Sequence, residues 1–305
     1  MSSMQNNEAQ VINRAPVRAN SDAYIRSRKR KLARERFLKT ITHLVLIIGG
    51  VSMIIPFLWM LSTSLKEPGA VFTFPPQWIP KPMMWENYAR AWKAVPFGRF
   101  YLNSIFVAVC VTFGQVFTSS LAAYSFARLH FPGRDKLFLC YLATMMIPGS
   151  VTMIPVFILL KTIGWIDTYW ALIVPGIFSA YGTFMLRQFF MGLPRDLEDA
   201  AKIDGCSLFG IYYRVILPLS LPALATLTTF TFMGSWNSFM WPLIVINSME
   251  LKTLPVGLAS FQGLYTTDWT LLMAGSIIVL LPVLIVFIFN QRFFVKGIQL
   301  GAVKG

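Results

Sequence analysis

The sequence predicts an all-α integral membrane protein with six transmembrane helices and both termini on the cytoplasmic side. Three observations carry that prediction. The 305 residues are 55% apolar and only 13% charged, a composition of the membrane class. Apolar runs recur at Thr40–Ser62, Tyr101–Phe126, Leu137–Leu160, Trp170–Phe190, Leu219–Ile246 and Trp269–Phe289. Each is close to the roughly 20 residues that a hydrocarbon layer about 30 Å thick requires. No water reaches backbone groups there, so the spans should be helices. Lys and Arg are also unevenly shared. Of 27, 20 lie in the two tails, in Arg128–Lys136 and in Arg187–Arg214, and 7 lie in the other three connections. Positive charge stays cytoplasmic during insertion. Both tails therefore share that side, as an even number of spans demands.

The elements follow in order. Residues 1–39 form a basic cytoplasmic tail, expected to be disordered over residues 1–25. Its densest run, Arg26-Ser27-Arg28-Lys29-Arg30-Lys31, reads as a solvated topology determinant, with contact to anionic membrane lipid headgroups as the alternative. Residues 40–291 form the six-helix domain. Gly49, Gly50 and Pro56 in the first span allow close helix approach and a kink. The connection at 65–100 carries Pro68, Pro75, Pro76, Pro80, Pro82 and Pro96 with Trp78, Trp85 and Trp92. Prolines bar a long helix from its first half, and tryptophans favour the headgroup layer. It reads as an external cap with a short interfacial helix over Trp85–Trp92. Pro132-Gly133 marks a tight reversal. Pro148, Pro155, Pro175, Pro222, Pro242 and Pro282 fit spans that bend or break. Residues 292–305 form a cytoplasmic tail.

Composition and motifs exclude several chemistries. The net charge of +14 follows the membrane sides rather than any nucleic-acid face, so no nucleic acid is expected. No GxxxxGK[ST], HExxH or GxSxG occurs, so no catalytic residue is assigned. Cys110, Cys140 and Cys206 lie far apart and suggest no metal site. Span interiors hold neutral polar groups rather than the ionisable ones that ion-driven carriers commonly place at membrane depth. Asn103, Gln115, Trp236 and Asn237 are the candidates for a pathway taken by a neutral hydroxylated solute. The same groups also serve to join helices. From the residues alone, a self-contained secondary carrier or facilitator for a neutral polar solute stays open.

The sharpest signal is the polar island Leu193–Pro218. It concentrates Arg195, Asp196, Glu198, Asp199, Lys202 and Asp204 between two apolar runs. Pro194 followed by acids starts a helix. Leu197–Asp204 reads as that helix, with Ala200 and Ala201 as a small face and Gly205 as its stop. Ser207 caps a second short helix, on which Leu208, Ile211 and Tyr212 form one apolar stripe. Two short helices with an enforced bend make a knob that a soluble partner can grip.

Asp199-Ala200-Ala201, then Gly205, then Val215-Ile216-Leu217-Pro218 resemble the EAA loop of bacterial ABC importer permeases, with Asp for Glu and Val for Ile. Ala143–Pro148, Leu186–Phe190, Gly234–Asn237, Leu254–Leu258 and Gly301–Gly305 are similar, in that order, to the carbohydrate branch and within it to the maltose-type second permease subunit. The resemblance implies a type I importer permease fold in a bacterial cytoplasmic membrane. It further implies a second homologous permease subunit, two ATP-binding cassette subunits and an extracytoplasmic sugar-binding protein as partners. ATP and Mg would sit on the ATPase subunits and no cofactor in this chain. Glu198, Asp199, Ala200, Ala201, Gly205, Leu217 and Pro218 would carry ATPase coupling, with Gly301–Gly305 as a second contact. Monosaccharides, oligosaccharides, polyols and glycerol-phosphate esters stay open as substrates.

Overall fold

The computed structural model describes residues 15–263 and 267–302, and its regular structure there is helical. Met1–Trp59 and Met60–Gly305 form two compact units. The first consists of helix α1 (Ala15–Ser64) up to Trp59. Helix therefore begins within the stretch expected to be disordered. Pro16 is suited to the first turn of a helix, where its missing N–H is no loss, and no further proline interrupts before Pro56. Residues 1–14 lie outside the described residues.

In the second unit, the 65–100 connection opens with a 3₁₀ turn at Pro68–Ala70 and leads to α2 (Glu86–Ala94), the short helix that the tryptophans predict. Asn87 fastens this connection. Its buried amide donates to Ser64 O at 2.9 Å and Lys66 O at 2.8 Å. The long α3 (Phe97–Arg128) follows without an internal proline.

Among the described residues, four helical stretches are long and apolar enough to cross a membrane: Lys31–Ser64, Phe97–Arg128, Tyr169–Met191 and Trp269–Gln291. Two further helix pairs pass the same test but are bent, and the number reaches the six that the apolar runs predict if each bent pair is one span. The first pair corrects the single span expected at Leu137–Leu160. Helix α4 (Arg134–Ala143), extended by a 3₁₀ turn to Met146, meets α5 (Gly149–Thr162) at 99°. The cause is local: Pro148 drives Ile147 into extended backbone, φ −84°, ψ 116°. Next, α6 (Tyr169–Ile173) and α7 (Ala180–Met191) are parted by a 3₁₀ turn containing Pro175. Ser179 restarts the helix by accepting the Gly182 N–H at 3.0 Å.

After α8 (Asp196–Ile203) and α9 (Leu208–Ile211) come a π-helical turn at Tyr212–Ile216 and α10 (Leu217–Leu219). The wide turn precedes Pro218, whose ring cannot sit against the carbonyl four residues earlier. The Leu208–Leu219 stretch then meets α11 (Leu221–Trp236) at 79°. The fifth span ends at Trp236, ten residues short of the expectation. The Asn237 side chain donates to Met233 O at 2.9 Å and closes the helix there, and α12 (Met240–Val245) is separate. Finally come α13 (Leu254–Ala259) and α14 (Trp269–Ala302). The C-terminal tail expected from 292 continues α14 as far as Ala302; residues 303–305 lie outside the described residues.

Among the described residues, three buried clusters hold the second unit. One joins Tyr124, Leu186, Phe190, Ile211, Tyr212 and Leu227, where the polar island meets α3, α7 and α11. A second joins Phe97, Phe100, Trp236 and Leu254. A third joins Val107, Leu172 and Val245. The Leu254–Leu258 segment has a steric reason in the second. A β-carbon on Gly257 would lie 2.1 Å from the fully buried Phe100 ring. Gly257→Ala is expected to destabilise the fold by about 1 to 3 kcal/mol through overpacking, read as a lower unfolding temperature of the purified protein.

Candidate coupling site and solute cavity

The polar island folds as its residues dictate. Asp196, Glu198 and Asp199 occupy the first turn of α8, where the positive end of the helix dipole favours them, and Lys202 sits in its last turn. Gly205 stops the helix at φ +80°, a left-handed conformation that L side chains resist. The Ser207 side chain caps α9 by accepting the Gly210 N–H at 3.1 Å. The result is the expected pair of short helices with a fixed bend.

The knob has two faces. Asp199, Ala200, Lys202 and Gly205 are exposed. So are large apolar side chains: Leu197, Leu208, Phe209, Tyr213 and above all Ile203, which is 87% exposed. The expected stripe of Leu208, Ile211 and Tyr212 therefore splits, since Ile211 and Tyr212 are buried and Leu208 is not. Lys202 Nζ donates to Asp199 Oδ1 at 2.9 Å. That hydrogen bond, together with the charges of Lys202 and Arg195, holds Asp199 below the usual carboxylate range.

The second face turns inward. Ala201 belongs to the buried cluster that includes Ile211 and Phe190, and Glu198 is buried. Glu198 Oε1 lies 2.9 Å from Arg128 Nε, at the end of α3. Arg128 Nη2 also donates to Phe190 O, and to Leu193 O at 2.8 Å. One guanidinium thus joins α3, the end of α7, the Leu193 turn and α8. Breaking a buried pair by removing one partner costs about 3 to 5 kcal/mol, because a buried charge is left uncompensated. The sequence alone missed this partner, 70 positions upstream, although a carboxylate and an arginine at helix ends were the signal. Leu217 is half-buried and Pro218 exposed, both on the stretch leading to α11.

A cavity of about 640 Å³ lies between α3, α5, α7 and α11. Its apolar lining includes Val107, Val111, Phe230 and Trp241; its polar groups include Gln115, Thr152, Tyr181, Thr231, Ser235 and Ser238. No Lys, Arg, Asp or Glu is among the lining residues. The Gln115 amide donates to Thr231 Oγ1 at 2.9 Å, bridging α3 and α11 across this space.

Of the four pathway candidates, only Gln115 lines the cavity. Asn103 is buried and fully engaged. Its amide donates to Glu250 O at 2.7 Å and Lys252 O at 2.9 Å, and its oxygen accepts the Tyr169 hydroxyl at 2.7 Å. Trp236 is buried, donates to Val279 O at 3.1 Å and stacks on Phe232. Asn237 closes α11. All three spend these groups on bonds within the fold, and Ser104, Ser235, Ser238 and Trp241 are among the residues that line the cavity. A separate loop anchor joins α5–α6 to the segment after α12. Asp167, at φ +61°, accepts from the Ser248 and Asn247 N–H groups and the Ser248 hydroxyl. The Ser248 N–H foremost holds that carboxyl below its ordinary value.

The family model of the binding-protein-dependent transport system inner membrane component matches residues 115–298, from the cavity face of α3 through the knob to α14. The chain belongs to this family. It is a membrane-spanning permease subunit of an ABC importer, a transport component rather than an enzyme. The arabinooligosaccharides transport system permease protein AraQ of Bacillus subtilis is 39% identical over 227 residues, 74% of this chain and 81% of that protein. The probable ABC transporter permease protein YurM of the same organism is 33% identical over 88% of this chain and 89% of its own length. The sn-glycerol-3-phosphate transport system permease protein UgpE of Yersinia pestis is 33% identical over 86% and 96%. Among solved structures, a bacterial ABC transporter involved in the import of the acidic polysaccharide alginate has a chain of the same fold. The match has a TM-score of 0.77 and 23% identity, over 85% of this chain and 97% of that one.

Proposed function

We propose that this permease carries a carbohydrate or related polyol inward across a bacterial cytoplasmic membrane, with its N-terminus inside. It pairs with a second homologous permease subunit. Two ATP-binding cassette subunits, which hold ATP and Mg, dock from the cytoplasm, one of them on the Leu193–Pro218 knob. An extracytoplasmic sugar-binding protein delivers the solute from the other side. ATP binding closes the ATPase pair and turns the cavity outward; hydrolysis resets it. The observation that carries this reading is the knob itself: an exposed rim of Leu197, Ala200, Ile203 and Phe209 on a bend fixed at Gly205, tied inward through Glu198. The excess of Lys and Arg on both tails and the knob supports the orientation.

The cavity supports the solute class. Hydroxyl and amide groups between aromatic and aliphatic walls suit a ring with polar edges and apolar faces, and the uncharged lining favours a neutral one. Gln115→Leu is expected to raise the KM for uptake about fivefold, by roughly one lost hydrogen bond.

The test is reconstitution in vesicles with a radiolabelled neutral arabino-oligosaccharide and sn-glycerol 3-phosphate as probes. Uptake is expected only with the second permease, both ATPase subunits and a binding protein present, and for the neutral probe. Accumulation against a gradient by this chain alone would overturn the reading in favour of a secondary carrier.

A further inference from the structure

The knob is joined covalently to α7 and α11, and neither joint is a continuous α-helix. On one side Gly192, Leu193 and Pro194 interrupt the helix. On the other, the π-helical turn and the 79° bend at Ser220 do so. A push delivered to the knob therefore has no unbroken helix to follow through either joint.

One other route is stiff. Ser120, Tyr124 and Arg128 recur every four residues and so share one face of α3. Each grips the knob at a different height. The Ser120 hydroxyl already donates to Phe117 O, so it accepts from the Tyr212 hydroxyl, at 2.7 Å. The Tyr124 hydroxyl donates to Leu208 O, in the first residue of α9, at 3.1 Å. Arg128 holds Glu198, on the inward face of α8. Both knob helices are thereby fastened to one helix. Packing fills the gaps between these contacts, since Tyr124, Ala127, Ile211 and Tyr212 belong to one buried cluster.

Helix α3 is built to carry load. It runs 32 residues, about 48 Å at helical rise, with no internal proline, whereas α1, α5 and α14 contain Pro56, Pro155 and Pro282. Toward its other end, on a different face, Ser104, Val107, Val111 and Gln115 line the cavity. Nothing breaks the helix between the two faces.

We propose that α3 is the lever of this permease: displacement of the knob enters the membrane domain through the Ser120–Tyr124–Arg128 face and moves the cavity wall at Val107–Gln115. These three are positioning residues; none touches solute or nucleotide. The proposal rests on the reading of the knob as the ATPase dock.

The test uses the full assembly of both permeases and both ATPase subunits in lipid nanodiscs. Cys110, Cys140 and Cys206 are replaced by serine, and a single Ser235→Cys reports on the cavity through its labelling rate with a methanethiosulfonate reagent, with and without ATP plus vanadate. The expected result is an ATP-dependent change in rate that shrinks about twofold in Tyr124→Phe and about tenfold in Arg128→Gln, while ATPase subunits co-purify in the parental ratio. Tyr124→Phe deletes one hydroxyl and leaves the packing, so misfolding does not obscure its effect. An undiminished change in both variants overturns the lever. So does loss of ATPase subunits from the Arg128→Gln assembly, because the face would then only hold the dock in shape. A parental assembly that shows no ATP-dependent change overturns the docking reading itself, and the lever with it.

Discussion

Gly205→Val is expected to lower ATP-driven uptake by about 5- to 30-fold while the protein still inserts and accumulates in the membrane. Gly205 sits at φ +80°, and a β-carbon there would meet nothing within 4 Å. Space is therefore no obstacle, and the penalty is entirely in the backbone. The left-handed conformation costs an ordinary L residue roughly 1 to 2 kcal/mol, and a β-branched one is a genuine outlier there. That cost falls on the one bend that orients α8 against α9. It lowers the ratio of the bent to the unbent form by about 5- to 30-fold. Gly205→Asn, a residue that tolerates this conformation, is expected to keep most of the activity. The measurement is uptake per unit of membrane-inserted protein; normal uptake by Gly205→Val would remove the bend from the mechanism.

Ile203→Asp is expected to weaken ATPase docking by at least about 30-fold, the effect of losing one central apolar anchor. Ile203 is 87% exposed at the C-terminal end of α8, close to Leu208 and Phe209 in the chain. It contributes nothing to the buried cluster beneath, so the permease itself should retain its unfolding temperature. Docking is read as the fraction of ATPase subunits that co-purify. A variant that retains them in full would shift the dock away from this rim.

Much of this architecture is legible in the chain because its causes are local. The helix from Asp196, the stop at Gly205 and the cap at Ser207 each depend on residues within one turn. The break before Pro148 was within reach on the same grounds, since proline constrains the residue before it. What stayed hidden depends on partners distant in sequence. Glu198 reads as one of the knob's charges and, by the resemblance, as a coupling residue; that it is buried against Arg128 is seen only in the structure. Asn103 reads as a polar group free for a solute, yet two carbonyls of the Glu250–Lys252 turn use up its amide. Trp236 likewise spends its N–H on Val279 O, in α14. Gln115 alone among these bridges its partner at the cavity wall.

The separation of the knob into an outward rim and an inward face gives the central claim its most direct test. Single cysteines at Ala200, Ala201 and Ile203, in a background where Cys110, Cys140 and Cys206 are serine, are to be crosslinked in native membranes by a short thiol-to-amine reagent. Crosslinks to an ATPase subunit are expected from positions 200 and 203, which are exposed, and not from 201, which is buried in the cluster beneath the knob. Absence of ATPase crosslinks at both 200 and 203, over several reagent lengths, would contradict docking at this site.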